Sequence, residues 1–167
     1  MRSTATTLFA LVQVILVLTA CRFNPNIQGE GADFIQGIWQ QESSKLRDSL
    51  LEYTTYSFKF TCDSFYVTLS TRSKANYYDD SCFNNGNRKE YAKGNYTVRN
   101  DTLYIVGTFT RENFKQKLSG CYRIGQFTPV FLIRKKNPKR MELLDLQQQL
   151  PITLTLKKKT TCNPQPL

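Results

Sequence analysis

Residues 56–70 read Tyr56-Ser57-Phe58-Lys59-Phe60-Thr61-Cys62-Asp63-Ser64-Phe65-Tyr66-Val67-Thr68-Leu69-Ser70. Tyr56, Phe58, Phe60 and Cys62 alternate with polar residues; after Asp63-Ser64, Phe65, Val67 and Leu69 alternate with Tyr66, Thr68 and Ser70. Successive side chains of an extended chain point to opposite faces, so each run buries one face and wets the other. Two such runs across a short polar break predict a tight β-hairpin. A hairpin alone is marginal in water, so its apolar face requires more strands.

The chain on either side supplies them. Upstream, Phe34 to Gln41 opens the fold, alternating from Gly37 as a half-buried strand does. Downstream, Tyr91–Val98 and Thr102–Phe109 read as strands joined by a turn at Asn100-Asp101. Arg111-Glu112-Asn113 then turns into a strand over Phe114–Ile124, and Gly125-Gln126 into one over Phe127–Lys135. Asn137-Pro138 precedes Arg140–Leu146, and Ile152–Lys158 alternates with threonines as a last strand. Between them, residues 73–88 form a long polar loop. Ser43 to Glu52 is the one helical signal, with Ser43 or Ser44 as cap and Leu46 and Leu50 on one face.

The tally is about nine short strands and one short helix, in a chain 13% aromatic. Sequential antiparallel strands curl shut because an open sheet leaves unpaired edges. The expected fold is all-β, an antiparallel up-and-down barrel of about eight to nine strands; a β-sandwich is the alternative. Gly94, Gly107 and Gly120, placed inside strands, suit sharp barrel bends.

Gly37-x-Trp39 at the start of the first strand is similar to the signature of lipocalins. The resemblance implies a lipocalin-like barrel over 34–162, with Trp39 closing one end. It also implies that Trp39 packs on a basic residue from a late strand, here Arg134 or Arg140.

The N-terminus carries a different signal. Met1 and Arg2 precede an apolar run from Leu8 to Leu18, too short to span a bilayer, and the run closes on Leu18-Thr19-Ala20-Cys21. That order resembles the lipobox of bacterial lipoproteins. The resemblance implies that residues 1–20 are a signal peptide and that Cys21 is acylated. Residues 21–33, with Pro25, Gly29 and Gly31, would form a lipidated tether, and 163–167 a polar tail. More than one acyl chain holds a protein stably on a membrane. Arg22 stands where an aspartate would resemble an inner-membrane retention signal, which favours the outer membrane; no acidic cluster after Cys21 resembles a surface-export signal, which favours its periplasmic face.

Four further cysteines, Cys62, Cys82, Cys121 and Cys162, read as two disulfides in an exported chain. Strand parity favours Cys82–Cys162 with Cys62–Cys121; proximity in sequence favours Cys62–Cys82. The connectivity stays open.

The chain contains no histidine, so a Ser-His-Asp triad, a Cys-His pair and an imidazole base are excluded. No cofactor or metal is expected. Asp79-Asp80 is the densest acidic spot, and a solvated turn accounts for it. The formal charge of +10 gathers late, in Arg134-Lys135-Lys136, Lys139-Arg140 and Lys157-Lys158-Lys159. Nucleic acid is not the expected partner, because no recognition module is present. Anionic lipid head groups or an acidic envelope surface fit better, as does a solvated face without a partner. Two non-catalytic functions remain open. In one, a cavity lined by Trp39, Phe58, Phe60, Phe65, Val67, Leu69, Tyr96, Leu103 and Ile105 takes an apolar small molecule or lipid; the same rings can instead fill a small barrel. In the other, the domain is an accessory structural subunit of an outer-membrane protein complex.

Overall fold

A computed structural model describes residues 27–43 and 49–166. The leader 1–20, the acylation candidate Cys21, the tether up to Asn26 and the centre of the expected 43–52 helix lie outside the described residues. No helix among the described residues is long and apolar enough to cross a membrane.

Residues Gly29–Pro164 form one compact unit. Its strands are β1 (Gly37–Gln41), β2 (Glu52–Thr61), β3 (Ser64–Ser73), β4 (Asn87–Arg99), β5 (Thr102–Thr110), β6 (Gln126–Phe127), β7 (Val130–Lys136), β8 (Arg140–Asp145) and β9 (Pro151–Lys159). Among the described residues the α-helix is α1 (Asp80–Phe83), in the β3–β4 loop and followed by a 3-10 turn at Asn84–Gly86; another 3-10 turn at Asp33–Ile35 precedes β1. Outside this unit, Ile27 bridges Pro166, and the Gln28 N–H donates to the Gln165 carbonyl at 3.0 Å.

Every pairing is antiparallel, and β1 meets both β2 and β9, so the sheet closes on itself. The result is an eight-stranded up-and-down barrel with β6 as an extra short strand. It is one closed sheet, which sets aside the sandwich alternative. β6 and β7 both pair with β5 and amount to one strand interrupted at Thr128-Pro129. Proline has no N–H to give the ladder.

Alternation places the core. The hairpin of 56–70 forms as read, with Phe60 opposite Phe65 and Phe58 opposite Val67. Tyr56, Phe58 and Phe60 stack at centroid spacings of 5.5 and 5.3 Å, and Phe131 meets the first two edge-on. Asn100 and Asp101 both adopt positive φ, the turn geometry whose twist matches the strands it joins. Gly94 lies opposite Gly107, where a Cβ on Gly94 would meet the Gly107 Cα at 2.4 Å. The two paired strands leave no room there for a Cβ.

One expected strand is absent. Residues 114–124 form an irregular loop, with Phe114 and Tyr122 at positive φ and Gly120 in the loop rather than in a strand. The apolar residues of this segment serve other contacts: Phe114 packs on Tyr66 and Tyr91 outside the wall, and Tyr122 packs edge-on to Tyr78. The 73–88 loop, read as irregular, contains α1.

The missing strand corrects the disulfides. The bonds are Cys62–Cys162, with Cα atoms 4.7 Å apart, and Cys82–Cys121, at 5.6 Å. Counting 114–124 as a strand inverts the direction of everything after it. With that segment a loop, Cys162 falls at the Cys62 end, and Cys121 joins Cys82 at the other.

Candidate functional site

The barrel has two unlike ends. The base is where β1 starts and β9 stops, with the turns at Cys62-Asp63, Asn100-Asp101 and Asn137–Lys139. The rim carries the long loops after β1, β3, β5 and β8.

Between them the interior is solid. Phe58, Phe60, Phe65, Val67, Leu69, Tyr96, Leu103 and Ile105 join Trp39 in one cluster, each no more than 2% exposed. The expected cavity liners are therefore core residues that fill a small barrel. The rings pack against one another rather than around a hollow.

A polar plug closes the rim. Arg88 and Glu90 continue the inward register of Ala92 on β4, so alternation carries two charges inside the wall. Arg123 reaches in from the 111–125 loop. Its Nη2 donates to Glu90 Oε2 at 2.6 Å, its Nε to Oε1 at 3.0 Å, and its backbone N–H to Oε1 at 3.1 Å. Arg88 makes a bidentate pair with Glu52, at 3.1 and 2.8 Å, and its guanidinium lies over the Tyr78 ring. Burial pushes the Glu90 carboxyl up, but the hydrogen bonds and charge of Arg123, aided by Arg88, hold it below its ordinary value. Beside the plug is a cavity of about 130 Å³ lined by Gln41, Glu52, Tyr56, Arg123 and Gln148. Burial, then the Asp145 charge, push the Tyr56 hydroxyl up to about 12.

The base is closed by the chain that enters it. Gln36 is buried, and its Nε2 donates to the Cys62 carbonyl at 2.8 Å and to the Tyr96 hydroxyl at 2.9 Å. The Tyr96 hydroxyl itself donates to the Cys62 carbonyl at 2.8 Å and accepts from the Ala32 N–H. Gly29 N–H donates to Asp63 at 3.0 Å, so the stretch read as tether is bound to the barrel from Gly29 onward. Ile35 is fully buried, and its carbonyl accepts from Trp39 Nε1 at 2.7 Å. Trp39 therefore sits near the base. Its expected basic partner differs: among the described residues no cation–π contact joins Trp39 to Arg134 or Arg140, and Arg140 pairs with Glu42 instead.

Lysines surround this end through two β-bulges. Trp39 lies opposite Leu156 and Ile38 opposite Lys158, leaving Lys157 as the extra residue on β9. Ile133 lies opposite Leu143 and Lys135 opposite Glu142, leaving Arg134 as the extra residue on β7. A bulge shifts the count by one and re-aims the side chains beyond it. Lys159 thereby stands opposite Gly37, and Lys136 opposite Met141, on the inner side of the wall. Together with Lys139 they border a cleft of about 600 Å³ whose apolar surface comes from Phe34, Trp39, Met141 and Leu156. The Lys136 ammonium lies 4.8 Å from the Phe34 ring centre and 3.1 Å from Asp101. The Lys159 ammonium donates to the Asp33 carbonyl at 2.6 Å.

The basic runs were visible in the sequence; which lysines turn inward was not, because a strand written out shows no bulge. The Arg88–Glu90 pair had a usable signal, charge at inward positions of an alternating strand. Asp79-Asp80, expected as a solvated turn, is the start of α1, with Asp80 Oδ1 accepting from Asn76 at 2.9 Å. The arrangement offers cations over an apolar floor at the base and a neutralised ion network at the rim. No family model matches this chain, nor does any curated protein or solved structure.

Proposed function

We propose that the chain is a lipid-anchored lipoprotein of the cell envelope, acylated at Cys21, whose barrel is a non-catalytic binding body. The order Leu18-Thr19-Ala20-Cys21 after a short apolar run supports the anchor. The base cleft is the observation that carries binding: among the described residues aromatic side chains fill the centre of the barrel, so an apolar small molecule or lipid is held at its end. The absence of histidine supports a non-catalytic role. The outer membrane is its location, because Arg22 follows the acylated cysteine.

Cells fed labelled palmitate test the anchor. The protein takes up label and sediments with membranes, and Cys21→Ser abolishes both. Unlabelled protein, or globomycin treatment without effect on its processing, overturns this reading.

The second reading, an accessory subunit of an outer-membrane protein complex, is favoured by one feature. Tyr104 and Val106 project side by side from the outer face of β5, 41% and 65% exposed. Contiguous exposed apolar surface is where protein contacts form, and this pair supplies the start of one.

A further inference from the structure

We propose that the base cleft holds one anionic phospholipid, its phosphate between Lys136, Lys139 and Lys159 and the start of its acyl chain on Phe34 and Leu156, over the buried Trp39. The inference rests on the lipoprotein reading only in naming a membrane as the source of the ligand.

Two separate properties point to an amphiphile with a negative head. The first is charge. Lys139 has no ion pair among the described residues, and neither do the neighbouring Arg134, Lys157 and Lys158. As ion pairs Lys136 and Lys159 have the carboxylates of Asp101 and Asp33, 62% and 100% exposed, beside the Lys159 bond to the Asp33 carbonyl and the Lys136 contact with the Phe34 ring. Exposed pairs of this sort contribute little, so an incoming phosphate displaces them readily. The second is the floor. Phe34, 36% exposed, and the half-buried Leu156 form its open apolar surface above the buried Trp39 and Met141, and a volume of about 600 Å³ falls in the usual range of small-molecule sites.

Other ligand classes satisfy only half of this. A free phosphate would pair the ammoniums but leave the apolar floor wet. A neutral apolar molecule would cover the floor while taking the ammoniums out of water without a partner. A phospholipid does both, and lysine stems can lie along the chain while their heads meet the phosphate. The bulges give the arrangement its purpose. In strict alternation from Ile133 and Leu156, the inward places would fall to Lys135 and Lys158; the bulges give them to Lys136 and Lys159.

Trp39 is the sole tryptophan and lines the cleft, so it reports occupancy directly. The acylated full chain is reconstituted into phosphatidylcholine vesicles containing a small fraction of bromine-tailed phosphatidylglycerol or bromine-tailed phosphatidylcholine. Expected is saturable quenching of Trp39 by the anionic lipid at about a tenfold lower mole fraction than by the zwitterionic one. Lys136→Gln with Lys159→Gln removes the preference; Lys157→Gln with Lys158→Gln keeps it. Glycerol 3-phosphate in the buffer does not reverse the quenching. Equal quenching by both lipids overturns the proposal, as does reversal by glycerol 3-phosphate, or equal loss in the outward lysine pair. The lipid comparison needs no variant, so misfolding of one leaves the result intact. Flotation of the protein with pure phosphatidylcholine vesicles reads the anchor separately, so either reading can fail alone.

Discussion

Lys136 on β7 stands directly opposite Met141 on the neighbouring β8, a residue only 1% exposed. A lysine at the register of a core methionine is tolerable only where the wall ends and the ammonium can emerge, and β7 ends at Lys136. The same holds for Lys159, opposite Gly37 at the last position of β9. Both lysines keep their stems near the core and their charge at the mouth.

Acid should weaken the rim first. The Glu90 carboxyl sits below its ordinary value of 4.5, so its ion pairs contribute fully above that pH. Their contribution is lost as the pH falls through the lower folded value. Glu90→Gln should flatten this acid limb in urea melts recorded from pH 6 to 2. At pH 7 it should cost roughly 3 kcal/mol, the lower end for breaking a buried pair, because Arg123 retains access to water. An unchanged acid limb would show that the Glu90–Arg123 contacts carry no stability.

Base should act at both ends together. Burial pushes the Tyr96 hydroxyl up to about 12, and the Tyr56 hydroxyl likewise. In the unfolded chain both ionise near 10, so stability is full below that pH and falls as the pH rises towards 12. For one tyrosine the full loss is about 3 kcal/mol, at about 1.4 kcal/mol per pKa step. Tyr96→Phe should shed one share of the alkaline loss. At neutral pH it should cost about 1–3 kcal/mol, because the buried Gln36 amide and Cys62 carbonyl lose a partner.

The two disulfides should separate by function. Peptide mapping without reduction should recover Cys62 linked to Cys162, and Cys82 to Cys121. Replacing Cys62 and Cys162 by serine opens a bridge spanning 100 residues and should cost about 4–5 kcal/mol on loop-closure entropy. Replacing Cys82 and Cys121 should instead free the 111–125 loop. Faster proteolytic nicking within that loop, with the barrel's far-ultraviolet signal retained, is the expected readout.

Much of this fold was legible because a strand has a period of two. Alternation alone distinguishes Phe58 from Lys59 and Val67 from Tyr66, and repeated hairpins leave a closed sheet as the natural solution. The 114–124 segment misled because its apolar residues have no tertiary neighbour in a one-dimensional reading. Phe114 belongs to an outer-face cluster with Tyr66 and Tyr91, and Tyr122 to the Tyr78 contact at the rim, and neither is a wall position.

The amino-acid order by itself determined which side of each wall segment is oily, where the main turns fall, and that four cysteines beyond Cys21 are present to form two pairs. Those properties are local, set by the direction of one Cβ after another. Only the tertiary structure decided which cysteine meets which, how Arg123 reaches Glu90, and which lysines overlook Met141. Each depends on a count of strands or residues around a closed ring, where one miscounted strand or one bulge reverses every later direction.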